Sequence, residues 1–130
     1  MGTTNIFMQK SSKYPPPNFS NKGDLLWLSG FLEGEGCFTF SRSKNTIGVV
    51  VSGVDEDTIK RAHSIMGGSF RLAKKTVTGK QVYEVCTTSR RYAYALMVAL
   101  FALMGNRRKL KILECLTFYA NSKGTQKCHA

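Results

Sequence analysis

The sequence predicts an α+β domain in which one mostly antiparallel sheet is covered on one face by helices. Three observations lead there. Apolar segments with helical spacing alternate with short alternating or β-branched runs, and glycine steps punctuate them. A chain of 130 residues, 42% hydrophobic and 11% aromatic, supports one packed core and is too short for two domains. The resulting order is helix, two strands, helix, two strands, helix, helix.

Residues 1–22 are polar and turn-prone, centred on Tyr14-Pro15-Pro16-Pro17-Asn18. Three consecutive prolines hold the chain extended and exclude helix, so this segment is expected to be a flexible or surface-hugging arm carrying Lys10, Lys13 and Lys22. Residues 24–33 are apolar on nearly every side, which predicts a helix buried on both faces. Gly34 and Gly36 stop it, where a helix end favours a residue tolerant of positive φ. Residues 37–42 alternate Phe38 and Phe40 against Thr39 and Ser41, a half-buried strand. The β-branched run 47–52 is its hairpin partner through Ser43-Lys44-Asn45-Thr46. Asp55, Glu56 and Asp57 open a helix to 66, with their carboxylates at the positive end of its dipole, and Gly67-Gly68 end it. A second hairpin spans 69–75 and 81–86 around Thr78-Gly79. A helix over 89–104 is broken by Gly105-Asn106, a last helix runs 107–120, and the polar tail 121–130 is loose. The folded domain is thus expected over 23–120. Its sheet leaves a polar face open, on which Thr39, Ser41, Arg71, Lys75 and Lys80 are placed to stand.

Charge narrows the partners. Nineteen Lys and Arg face eight Asp and Glu, a net charge of +11. Such an excess points to a polyanion, because each phosphate neutralised releases counterions. A generic solvated basic surface is the alternative. A curved basic sheet is one shape that enters a DNA major groove. A membrane is a poor partner: no apolar run approaches the roughly 18 residues of a spanning helix, and no basic amphipathic helix stands out. The first residues lack the apolar centre of a secretory signal and the spacing of a myristoylation signal. The expectation is a soluble, intracellular protein of the host cytoplasm, nucleoid or an organelle matrix. Cys37, Cys86, Cys115 and Cys128 form no CxxC pair, so free, mostly buried thiols are expected rather than a zinc or disulfide scaffold. Cys128-His129 alone is too little for a metal site.

The chemistry concentrates in Leu28-Ser29-Gly30-Phe31-Leu32-Glu33-Gly34-Glu35-Gly36. Gly30 and Gly34 are four apart, hence on one helical face, and allow a second backbone very close. Glu35 falls just past the helix C-terminus, where the macrodipole disfavours a carboxylate. Two such carboxylates brought together by a two-fold axis repel as well. A divalent cation resolves both problems, and hard carboxylate oxygen is what Mg²⁺ takes, with Mn²⁺ or Ca²⁺ able to substitute in binding. An isolated Glu-Gly-Glu-Gly would be only a solvated helix cap.

The stretch WLSGFLEGEGCF resembles the signature of LAGLIDADG homing endonucleases, and the likeness extends over about residues 24–120. The resemblance implies an αββαββα(α) LAGLIDADG-type fold with a saddle-shaped sheet in the DNA major groove. It implies dimerisation through the motif helices, here Leu26, Ser29, Gly30, Glu33 and Gly34. It implies Glu35 as catalytic metal ligand, with the Gly34 carbonyl beside it, and Glu33 as support for the helix end. A single motif copy implies a homodimer that cuts each strand of a pseudo-palindromic duplex site once, in the biology of a mobile genetic element or intron. Two positions depart from the family pattern. The polar residue after the second strand falls at Gly53, and the lysine before the last helix falls at Asn106. Arg107 and Arg108 lie beside Asn106 and are the candidate basic catalytic residues. DNA contacts are expected from Thr39, Ser41, Arg42, Lys44, Arg71, Lys74, Lys75, Lys80, Arg107 and Lys109. The departures bear on cleavage more than on binding, so a non-cleaving DNA-binding regulator or an RNA-binding intron-splicing helper (maturase) on the same fold is the alternative. An unrelated basic RNA-associated or structural protein is the third. His63 reads as a surface histidine, Trp27 and Phe31 as core, and Arg90-Arg91-Tyr92-Ala93-Tyr94 as a helix start with ordinary packing.

Overall fold

The computed structural model describes the backbone of residues 14–129 and side chains through 122. Most of the N-terminal arm, including Lys10 and Lys13, and the side chains of Cys128 and His129 lie outside the described residues. Helix α1 (Lys22–Glu35) begins two residues earlier than expected, because the Asn21 side chain accepts a hydrogen bond from the Asp24 N–H at 2.9 Å. Strands β1 (Gly36–Ser41) and β2 (Thr46–Gly53) follow as a hairpin, then helix α2 (Glu56–Met66). Strands β3 (Ser69–Leu72) and β4 (Tyr83–Thr87) precede helices α3 (Arg90–Phe101) and α4 (Asn106–His129). The α+β order is the one expected from the sequence.

Several boundaries move, for local reasons. Beyond β3 and β4 the second hairpin runs as a long loop, braced by Ala73 N–H to Val82 O at 2.7 Å and Gln81 Nε2 to Ala73 O at 2.6 Å. Helix α3 gives way after Phe101 to a tightened turn, in which Leu103 and Met104 donate to Leu100 and Phe101. Helix α4 does not stop near Ala120; it continues through the segment expected to be loose, to His129. Pro15 and Asn18 are tied to the end of α2, where Gly68 N–H donates to Pro15 O at 2.9 Å and Asn18 N–H to Ile65 O at 2.8 Å. Gly67 and Gly68 take φ of 68° and 78°, the left-handed region where side chains are strained.

The four strands form one antiparallel sheet in the order β1-β2-β4-β3. Register sorts every strand residue onto one of two faces. Phe38, Ile47, Val49, Val51 and Val85 turn inward onto Leu28, Leu32, Ile59, Ala62, Leu96, Met97, Leu100 and Ile112, and this apolar layer holds all four helices to one side. Cys37, Thr39, Ser52, Glu84, Cys86, Ser69 and Arg71 fall by alternation on the other face, which carries no helix among the described residues. The Cys115 thiol lies in the apolar layer, where burial pushes it up to about 11.

Two expectations for α1 change. The helix is not buried on both sides: Leu28, Ser29 and Leu32 face the core, while Leu26, Gly30 and Gly34 are exposed. Its terminating Gly36 has φ −84°, which any residue adopts, so a steric limit and not a positive φ selects glycine. A Cβ there would lie 2.7 Å from Leu32 Cδ2 and 2.9 Å from Leu32 O. Gly36→Ala is therefore expected to cost about 1–3 kcal/mol through this overpacking, read as a lower urea midpoint at unchanged slope.

Candidate nucleic-acid interface and acidic site

Glu35 is the last residue of α1, exposed at the helix's negative end. Gly36, the next residue, pairs with Val51; the residue after Val51 is Ser52, which pairs with Glu84, and Glu84 pairs with Arg71. Ser52, Glu84 and Arg71 thus share one row across the open face, one step along the strands from the Gly36–Val51 pair that follows Glu35. Gly53, where the polar partner was expected, turns inward instead, with a hypothetical Cβ 3.2 Å from Ile59 Cδ1. The polar group at this end of β2 is Ser52. Its place in the alternation was readable from VVVSG, but the strand's register against Glu35 was not.

The two acids of the motif separate completely. Glu33 Oε1 accepts the Gly105 N–H at 2.8 Å, so this carboxylate caps the start of α4 at the positive end of its dipole. Among the described residues the Glu35 carboxylate makes no hydrogen bond or ion pair. Arg108 donates from Nε to Glu33 O at 3.1 Å and from Nη1 to Gly36 O at 2.8 Å. Its guanidinium lies where a cation offsets the end of the α1 dipole, and it takes up carbonyls that the helix leaves unbonded. Arg108→Met should lose about 2–3 kcal/mol, because two charge-assisted bonds disappear while the apolar stem remains. Arg107→Met should shift stability by no more than about 0.5 kcal/mol, and paired urea titrations distinguish the two.

Arg107 is exposed and borders, with Cys37, Phe38, Arg108, Leu110, Lys111 and Glu114, a groove of about 480 Å³ beside the end of α1. Asn106, the first residue of α4, is exposed next to it. Basic side chains therefore flank the acidic site in two ways, Arg108 committed to backbone and Arg107 open to solvent.

On the dimer seam expected from the sequence, the residues divide. Leu26 is 48% exposed, and a Cβ built on Gly30 or Gly34 meets nothing within 4 Å. These three lie four residues apart on one stripe of α1. Ser29 turns inward instead, 6% exposed, with its hydroxyl bonded to Leu26 O at 2.8 Å, and Glu33 is held against Gly105.

The expected DNA contacts divide as well. Thr39, Ser41 and Arg71 are on the open face; Lys44 is exposed in the first hairpin turn and Lys74, Lys75 and Lys80 in the loop of the second. Arg42 departs from this group: its guanidinium lies over Phe40 and Phe118, 5.6 and 5.9 Å from the ring centroids, on the helix side. Lys109 likewise packs over Phe101, 5.7 Å away. Both are drawn off by aromatic faces from other elements, a contact that spacing in the sequence does not show.

No group of three or more His, Cys, Asp or Glu side chains with metal-binding geometry occurs among the described residues. At the end of α1 the exposed carboxylate is that of Glu35. No helix among the described residues is long and apolar enough to cross a membrane.

In sequence the chain matches no family profile and no curated protein. In structure it is similar to the homing endonuclease I-CvuI in complex with its target in the presence of Ca, with a TM-score of 0.62 and 18% identity over 82% of this chain and 73% of that one. The chain has the LAGLIDADG homing endonuclease fold. A second I-CvuI structure, in complex with an I-CreI target in the presence of Mg and with the DNA not cleaved, matches with a TM-score of 0.58 at the same identity and coverage. The α+β layout, the four-stranded antiparallel sheet and its single helical face are therefore those of a LAGLIDADG scaffold.

Proposed function

We propose that the protein is a site-specific DNA endonuclease that binds a long pseudo-palindromic duplex as a homodimer and hydrolyses one phosphodiester in each strand. The observation that carries this reading is Glu35. It is an exposed carboxylate at the unfavourable end of a helix, beside a glycine stripe that nothing among the described residues fills. A second copy on that stripe would bring two Glu35 carboxylates together at the symmetry axis, on the open side of the sheet. The two structures of I-CvuI to which the chain is similar are complexes with DNA targets, which supports the open face as the duplex-binding surface.

The donor set suits a hard divalent ion such as Mg²⁺. Glu35, with the Gly34 carbonyl, would hold it, and the ion would supply an activated water and charge stabilisation at the scissile phosphate. The chain's own residues do the positioning. Glu33 and Arg108 fix the helix end from which Glu35 projects, Ser52 offers a hydroxyl to order water beside it, and Arg107 reaches the phosphate from the groove. Lys44, Lys74, Lys75 and Lys80 neutralise the backbone on either side. Incubating the purified chain and Mg²⁺ with a randomised duplex library, then sequencing the ends, tests this directly. Defined ends with a short stagger are the expected product.

A non-cleaving binder on the same fold is the second reading, favoured by the inward turn of Gly53 and by the commitment of Arg108 to backbone carbonyls. It requires tight, salt-sensitive duplex or intron RNA binding with no Mg²⁺-dependent ends.

A further inference from the structure

We propose that Arg71 and Glu84 act together as a reader of one G·C base pair in each half of the DNA site, near the point of cleavage. The assignment rests on the DNA-binding reading above. Both residues sit on the open face in the row of Ser52, one step along the strands from the Gly36–Val51 pair that follows Glu35. Arg71 Nε and Nη2 donate to the same oxygen, Glu84 Oε1, at 2.6 and 2.5 Å. Cys86 Sγ donates to that oxygen as well, at 3.6 Å. The acid lies low on the sheet, 19% exposed in its side chain, and lifts a guanidinium that is 65% exposed.

Counting donors shows what remains. A guanidinium has five N–H groups, and two are used, which leaves the outer Nη1–Nη2 edge as a planar fork. Such a fork fits the O6 and N7 acceptors of guanine. Among the described residues no partner is recorded for Glu84 Oε2, which is an acceptor suited to the N4 amine of cytosine. The pair thus offers donor, donor and acceptor, the complement of the major-groove edge of G·C. An A·T pair would set the guanidinium against the adenine N6 amine.

Charge argues for bases over backbone. Glu84 is the one carboxylate on the open face of the four strands, and it cancels the charge of the one arginine there. A neutralised arginine is a poor phosphate anchor. A guanidinium held by a fixed acid also loses less rotamer freedom on meeting a base.

The test captures random duplexes on the full chain at several salt concentrations and sequences the bound fraction for the parent, Arg71→Ala and Glu84→Gln. The parent should prefer G·C at one position of each half-site by about tenfold or more. Arg71→Ala should erase that preference alone, keeping the others and the dependence on salt. Glu84→Gln should blunt the preference while raising affinity for all duplexes and steepening the salt slope by about one unit, as the freed cation meets phosphate. The pair assignment is overturned if Arg71→Ala weakens every duplex equally and flattens the salt slope by about one, the behaviour of a phosphate anchor. It is overturned too if selected sites carry no such G·C position. A parent that captures no duplex overturns the DNA-binding reading itself, and the assignment with it.

Discussion

Glu35→Gln is expected to leave DNA bound and uncut. The substitution keeps the size of the side chain and removes the charge that makes Glu35 a ligand for a hard cation. Cleavage in Mg²⁺ should fall by about a thousandfold or more, equivalent to roughly 4 kcal/mol of barrier. Affinity should hold or rise, because two carboxylates no longer face each other and the phosphates across the axis. Gel-shift and end-sequencing assays on the same duplex separate the two quantities. Ends produced at the parent rate would remove Glu35 from the metal site. Glu33→Gln should behave differently, since Glu33 caps α4 through Gly105. Its effect should appear first as a stability loss of about 1 kcal/mol.

The second large effect lies on the glycine stripe. Glycine inside a helix is about 1 kcal/mol less favourable than alanine, and α1 contains two with empty space around them. Nothing among the described residues offsets that penalty. Gly30→Ala should therefore raise the stability of a single chain by about 1 kcal/mol. Gly30→Leu should weaken self-association by about a hundredfold, roughly 3 kcal/mol, because the side chain occupies the space the second helix requires. Sedimentation of the parent and both variants measures the opposed changes, and DNA affinity should follow the dimer. A Gly30→Leu protein that assembles as the parent does would mean that α1 faces solvent, or another partner, and not its own copy.

The element order was legible because the punctuation is local. Gly67-Gly68 and Gly105 mark helix ends, and the alternation of Phe38 and Phe40 with Thr39 marks a strand, whatever surrounds them. Register was not legible, since it depends on which residue of β2 meets Gly36. The outward polar side chain at that end of β2 is Ser52, while its neighbour Gly53 turns inward onto Ile59. The ring contacts of Arg42 and Lys109 were not legible for a related reason: Phe118 and Phe101 reach them from other helices. Gly36 shows a third limit. Its presence at a helix end was plain, but the cause is contact with Leu32 and not backbone conformation. The extension of α4 to His129 was hidden by composition, because polar residues there carry no apolar stripe.

The bonds from Glu33 to Gly105 and from Arg108 to Glu33 and Gly36 join parts of the chain more than seventy residues apart. During synthesis, the acidic motif emerges from the ribosome long before the residues that brace it. A nascent chain ending ahead of α4 carries Glu35 on an unanchored helix end. On the proposed function, competence to cut is tied to synthesis reaching α4, and a shorter nascent chain holds its acid without the frame that aims it.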